Sequence, residues 1–167
     1  MVLGWGECAD KLGWRTYNYN LAEVNVPFSK ITVWSHDIPL LHKLGCIGTN
    51  LESQNAWEIY APHLYLSIRL AYDPTLDPWL IMADYWDKCY GPAAGPMEKY
   101  WMQIDESFAN IKSEAGSFHA LHLVYTPERI KQLGAHLDKA EKLAAGGSKN
   151  QQYRVMVARR GYRRAVY

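Results

Sequence analysis

The sequence predicts an α/β fold in which a strand–helix–strand segment leads into a mainly α-helical C-terminal region. Two observations carry that reading. Residues 13–52 hold two β-favouring stretches with a short helix pattern between them, the size of one β/α repeat. From residue 61 onward the chain is punctuated by helix starts and stops. Pro62, Asp77-Pro78 and Thr126-Pro127 open segments; Asp73-Pro74, Gly91 and Gly146-Gly147 close them.

Taken in order, "GWRTYNYNL" (13–21) alternates ring and polar side chains through Tyr17, Asn18, Tyr19 and Asn20, the period-two pattern of a strand. "NVPFS" is a loop broken by Pro27, and "ITVW" (31–34) reads as extended or turn-like. "SHDIPLLHKLG" predicts a short helix capped by Ser35 or Asp37 and ended by Gly45. "CIGTNL" (46–51) is the next strand, and it stops at the carboxylate of Glu52 and the polar cluster Ser53, Gln54 and Asn55. A two-stranded sheet is marginal, and a parallel pair is normally buried on both faces of a larger one. Residues 1–60 therefore read as the end of something longer, with residues 61–167 a helical region packed on it.

In that region "HLYLSIRLAY" (63–72) places Leu64, Ile68 and Ala71 on one side of a helix. "PWLIMADYWDKCY" has an acid at N-cap and proline at the first helical position. "GPMEKYWMQIDESFANIKSEAG" is a third long helix, closed by Gly116, and "SFHALHLVYT" (117–126) is extended or loop. "TPERIKQLGAHLDKAEKLAAGG" begins with Thr126 as N-cap, Pro127 and Glu128 in the first turn, and residues 149–167 form one more helix.

Composition excludes several classes. The 167 residues suffice for one domain with a core, and 49% hydrophobic with 21% charged residues is ordinary globular usage. A net charge of +1 supplies no global field for nucleic acid. No apolar run approaches the roughly 18 residues of a membrane span, so no membrane partner is expected. The N-terminus lacks a signal-peptide pattern, which says nothing about export if the chain is part of a longer protein. Cys8, Cys46 and Cys89 are odd in number and irregular in spacing, giving neither a disulfide framework nor a zinc site; Cys46 and Cys89 read as small core residues. His119 and His122 have i, i+3 spacing but no third ligand, so no metal is expected, and no cofactor fingerprint is present. His36-Asp37 suggests a base with its orienting acid, discounted because sequence neighbours rarely face each other. The 7 Trp and 12 Tyr, against 3 Phe, suit a carbohydrate cleft or equally a crowded helix core. The C-terminal arginines, Arg154, Arg159, Arg160, Arg163 and Arg164, read as the outer face of an amphipathic helix, favoured over RNA or lipid binding. Asp84, Asp87, Asp105 and Glu106 are their candidate partners.

Three groups of residues carry a resemblance. The first is Gly45, Gly48 and Glu52; the second Tyr65, Arg69, Leu70, Asp73, Pro74 and Asp77; the third Tyr90, Gly91, Ala93, Ala94 and Tyr100. Together, over roughly residues 13–112, they resemble the bacterial domain-of-unknown-function family four-eight-three-eight. Most of these positions are helix punctuation. The resemblance implies a glycoside-hydrolase-like (β/α)8 barrel protein of secreted or periplasmic origin, of which this chain supplies the last strands and the helical C-terminal region. A whole barrel takes about 200–250 residues, so earlier β/α units would precede Met1. The expected partners are a carbohydrate substrate and the missing N-terminal part of the same barrel, with self-association if the chain stands truncated.

Barrel chemistry lies at the C-terminal ends of the strands, which makes Glu52 the candidate catalytic or sugar-binding carboxylate. Its bland reading is a strand-end turn residue. Glycoside hydrolysis needs a second carboxylate roughly 5–10 Å away; Glu23 is the candidate here, against an ordinary loop role. Tyr19, Asn20 and Asn18 end the first strand and are expected to bind substrate, with either Tyr17 and Tyr19 or Asn18 and Asn20 pointing inward. The resembled family often has an acid where Asn18 stands, and an amide cannot transfer a proton at neutral pH. Trp57 is placed to stack on a sugar ring or to pack under the following helix. The expected function is thus part of a polysaccharide-binding cleft, inactive alone; the alternative is a non-catalytic helical interaction or scaffold domain.

Overall fold

In the computed structural model, residues 2–21, 23, 25–54, 56–112 and 121–166 are described. A short helix, α1 (Val2–Gly6), precedes strand β1 (Leu12–Tyr17). Helix α2 (Ile31–Lys43) then crosses to β2 (Cys46–Glu52), which pairs with β1 in parallel. A 3₁₀ turn (Trp57–Ile59) leads into α3 (Ala61–Tyr72) and α4 (Pro78–Tyr90). A second 3₁₀ turn (Gly91–Ala93) runs into α5 (Ala94–Ala109). The single turn α6 (Leu121–Val124), α7 (Pro127–Ala144) and α8 (Lys149–Val166) complete the order.

The β–α–β unit is the expected repeat, but its helix begins at Ile31, four residues earlier than Ser35. "ITVW" is its first turn. Ile31, Trp34, Ile38 and Leu41 recur at helical spacing and are all buried. The local sequence offers no N-cap: Lys30 makes no capping bond. The cap comes from α5, where Asp105, 2% exposed, accepts from the Ser29 hydroxyl (2.9 Å) and the Thr32 N–H (3.1 Å). A carboxylate at a helix N-terminus satisfies an orphan donor and complements the helix dipole.

Strand β1 is shorter than expected. It stops at Tyr17, and Asn18, Tyr19 and Asn20 lie beyond it, all buried, so neither alternate pair alone points inward. The register opposes Trp14 to Thr49, Arg15 to Asn50 and Tyr17 to Glu52. One face of the pair packs on α2, with Trp14 edge-on to Trp34 at 5.1 Å. The other face carries Arg15, Tyr17, Asn50 and Glu52, and among the described residues α2 is the one helix that packs substantially on either strand.

Helix punctuation follows the sequence closely. Asp77 Oδ1 accepts from the Trp79 N–H (2.7 Å) and the Leu80 N–H (3.3 Å), and Gly91 takes a positive φ of 51° where α4 ends. Asp73 closes α3 and accepts from the Thr75 N–H and hydroxyl, which holds its carboxyl below the usual range. Thr126 caps α7 through the Arg129 N–H. The buried face of α3 differs from expectation: His63, Leu64, Leu66, Ser67 and Leu70 are inside, while Ile68 and Ala71 are exposed. Helix α5 ends at Ala109, before the expected stop; Gly116 and His119 lie outside the described residues.

One apolar core joins α2, α3, α4, α5, α7 and α8, with Trp34, Leu66, Leu70, Met97, Tyr100, Trp101 and Leu137 at its centre. It crosses residue 60 from both sides. Seven rings of the sequence are buried in it: Trp34, Trp86, Trp101, Tyr85, Tyr90, Tyr100 and Tyr125. Trp101 Nε1 donates to the Tyr90 hydroxyl at 3.0 Å, which satisfies both polar handles. Cys46 and Cys89 are only partly buried and Cys8 is exposed; all three are free.

Candidate functional site at the strand ends

The C-terminal ends of β1 and β2 gather the polar residues of the first third of the chain. The strand ladder continues past Tyr17, because the Asn18 N–H donates to the Glu52 carbonyl at 2.8 Å. That places Tyr19 over the Glu52 side chain. The Tyr19 hydroxyl donates to Glu52 Oε1 at 2.7 Å and accepts from Gln54 Nε2 at 3.1 Å. The Arg15 guanidinium pairs with Glu52 Oε2 from the open sheet face and lies 5.0 Å from the Tyr17 ring centroid. Arg15 and Glu52 are partly exposed, so the pair adds no more than about 1 kcal/mol to stability. Its value is positional: it fixes a carboxylate at a strand end with acceptor capacity left over.

Beneath this layer lies a buried one. Asn18 is fully buried. Its Oδ1 accepts from Trp34 Nε1 (3.3 Å), its carbonyl accepts from His63 Nε2 (2.9 Å), and its Nδ2 has no hydrogen-bond partner among the described residues. Burial drives the His63 imidazole down to about 3, opposed by the Asn18 carbonyl and reinforced by the Lys30 charge, so the ring is neutral. A carbonyl only accepts, so the neutral ring carries its proton on Nε2. Lys30 donates to the Tyr17 carbonyl at 3.2 Å and lies 4.9 Å from the Trp34 ring centroid; burial lowers its pKa, with Asp37 acting the other way. The Tyr60 hydroxyl closes the far side by donating to the Gln54 carbonyl and accepting from the Gln54 N–H (2.9 Å).

The structure thus brings together Glu52, Tyr19 and Asn18. Asn20 is buried beside them, 8% exposed. Asn18 bridges β1, α2 and α3. Glu23 is exposed, and its carboxylate accepts from the Asn25 N–H and side-chain amide, both at 3.0 Å. That is a loop-closing role. Trp57 is 58% exposed on the 3₁₀ turn, so it does not pack under α3.

Arg15, Lys30, Gln54, Tyr60 and His63 belong to the site and are not evident as site residues in the sequence. Arg15 had a signal: strand period two places it on the face of Tyr17. His63 had none, since helix α3 is 45 residues from Asn18. The discounted His36–Asp37 pair does form, at 2.9 Å, on the exposed side of α2. Among the described residues no group of three His, Cys, Asp or Glu is placed to hold a metal ion, and no helix is long and apolar enough to cross a membrane.

Comparison with known families decides the relationship. The model of a domain of unknown function, DUF4838, matches residues 1–103. The chain belongs to that family. No curated protein and no solved structure matches it. The DUF4838 region contains the β–α–β unit, the strand-end site, α3, α4 and most of α5; α7 and α8 lie beyond it. The DUF4838 positions quoted above turn out to be mostly geometric. Gly45 and Gly91 have positive φ, Asp73 and Asp77 cap helices, Tyr100 is core, and Glu52 alone ends in the strand-end network.

Proposed function

We propose that the strand ends form one wall of a sugar-binding cleft in a glycoside-hydrolase-like barrel protein acting on polysaccharide. The observation that carries this reading is the position of Glu52. It stands at the C-terminal end of a parallel strand, held by Arg15 and Tyr19, on the sheet face opposite α2, where no helix packs substantially among the described residues. Parallel strands are ordinarily covered on both faces, and the open face with its free edges fits further β/α units supplied by other residues of the same protein. The same open edges would favour self-association of the chain alone. A carboxylate, a tyrosine hydroxyl and the Gln54 amide offer the acceptors and donors that sugar hydroxyls require, and exposed Trp57 offers a stacking face. Glu52 in this setting binds and orients. A hydrolytic pair needs a partner carboxylate, and Glu23 is bound to its own loop.

The test is retention on insoluble polysaccharides, with Glu52→Gln and Tyr19→Phe compared with wild type. Sugar binding at the strand ends predicts loss of retention in both variants with folding intact. Unchanged retention, or none in wild type, removes the proposal. The second reading, a non-catalytic helical scaffold, is favoured by the burial of seven Trp and Tyr rings in the core; it predicts no retention at all.

A further inference from the structure

Helix α8 turns one face toward the loops that follow β1 and β2, and a groove runs between them. It consists of two adjoining cavities of about 360 Å3 and about 200 Å3 that share Glu58, Tyr153 and Val157 as lining. The first is walled by Tyr85 and Tyr90 of α4 and by Arg154; the second by Asn25, the 3₁₀ turn, Arg160 and Arg164. Buried Val157 and Ile59 line it where α8 packs closely on the 3₁₀ turn. Gly161 permits it, because a Cβ there would lie 2.7 Å from the Ile59 side chain. From Asn150 to Arg164 the groove follows α8 for about 20 Å at 1.5 Å per residue.

The arginines of α8 divide by face. Arg159 is neutralised, bonded to Asp138 at 2.5 Å and to Glu141 at 2.8 Å on α7. These partners replace the acids of α4 and α5 that the sequence suggests. Arg160 and Arg164 have no acidic partner among the described residues, and Arg154 makes only a 3.4 Å bond to the Cys89 carbonyl. Tyr153 is 58% exposed, and its hydroxyl has no hydrogen-bond partner among the described residues. A guanidinium without a counter-ion presents a fork suited to carboxylate, and an exposed ring presents a face suited to sugar C–H groups. Glu58, common to both cavities, opposes a densely charged polyanion but accepts from hydroxyls.

We propose that this groove binds the acidic part of a sugar chain: a carboxylate-bearing oligosaccharide, with Arg160 and Arg164 on its carboxylates and Tyr153 on a ring face. It extends the strand-end reading, since the loops that hold Gln54 and Trp57 also form the groove wall. It stands on different residues, so each can fail separately.

The experiment is calorimetric titration of the full chain with three probes: oligogalacturonate, a cello-oligosaccharide of equal length, and a short polyglutamate peptide. Oligogalacturonate should bind, weaken with rising salt, and lose about tenfold or more in affinity on combined Arg160→Gln and Arg164→Gln, since two charge-assisted bonds disappear. Arg160→Lys with Arg164→Lys should retain part of the affinity. All these positions are exposed, and circular dichroism checks folding. Lys131→Gln, which removes an exposed cation of α7 outside the groove lining, should leave this binding unchanged. Equal binding of the neutral sugar, polyglutamate binding as tight as the sugar, no oligogalacturonate binding, or an unaffected arginine variant would each overturn the proposal. Loss on Glu52→Gln alone would support the strand-end cleft and overturn this groove.

Discussion

The buried imidazole of His63 couples folding to pH, and the size of the coupling follows from its site. The ring is fully buried, with its pKa driven down to about 3, whereas an unfolded histidine titrates near 6.5. At pH 7.5 the ring is neutral in both states and costs nothing. As pH falls below about 6.5 the unfolded chain takes up a proton that the folded chain refuses. Stability is then lost at about 1.4 kcal/mol per pH unit, until the folded ring protonates near pH 3. Between pH 7.5 and pH 5 the loss from His63 is about 2 kcal/mol. For a chain of this length that lowers Tm by roughly 4–8 °C. Urea unfolding at pH 7.5, 6 and 5 measures it, with constant m as the check that the two states are unchanged. His63→Gln keeps a donor for the Asn18 carbonyl and removes the titration, so its stability should fall much less over the same range. A residual slope comes from His136, whose pKa is also lowered, by burial and by Lys139 and Lys99. Parallel losses in wild type and His63→Gln, within about 0.5 kcal/mol, would refute the reasoning.

Two other substitutions probe the packing that positions the site. Asp105→Ala removes the cap of α2 and leaves the buried Ser29 hydroxyl without its acceptor; a cost of about 2–3 kcal/mol in urea unfolding is expected, and a change under about 0.5 kcal/mol would show that α2 starts without that carboxylate. Gly161→Ala drives a methyl to 2.7 Å from Ile59, so it should destabilise by about 1–3 kcal/mol and weaken ligand binding along α8, whereas a neutral outcome would mean that the 3₁₀ turn moves aside freely.

The sequence alone specifies the order of the two strands and the longer helices, the alternation of strand, helix and strand, and most helix boundaries marked by a local cap, but not the short helices Val2–Gly6 and Leu121–Val124. These are short-range effects. Asp77-Pro78, Thr126-Pro127 and Gly91 act on backbone groups a few residues away, so their positions can be read directly. It also determined that Glu52 ends a strand. Tertiary structure decided what is made by residues far apart. The start of α2 depends on Asp105, 73 residues from Thr32, so the local pattern at Ser35 gave a later start. The burial of His63 depends on the loop after β1, and the pairing of Arg159 depends on α7. The inward face of α3 differs from the expected one because helical spacing supports more than one stripe, and only the neighbours α2 and α4 select the one that is buried. The setting of Glu52 is of the same kind: Arg15 and Tyr19 meet it only because β1 and β2 pair in this register, and a register is a property of two strands together.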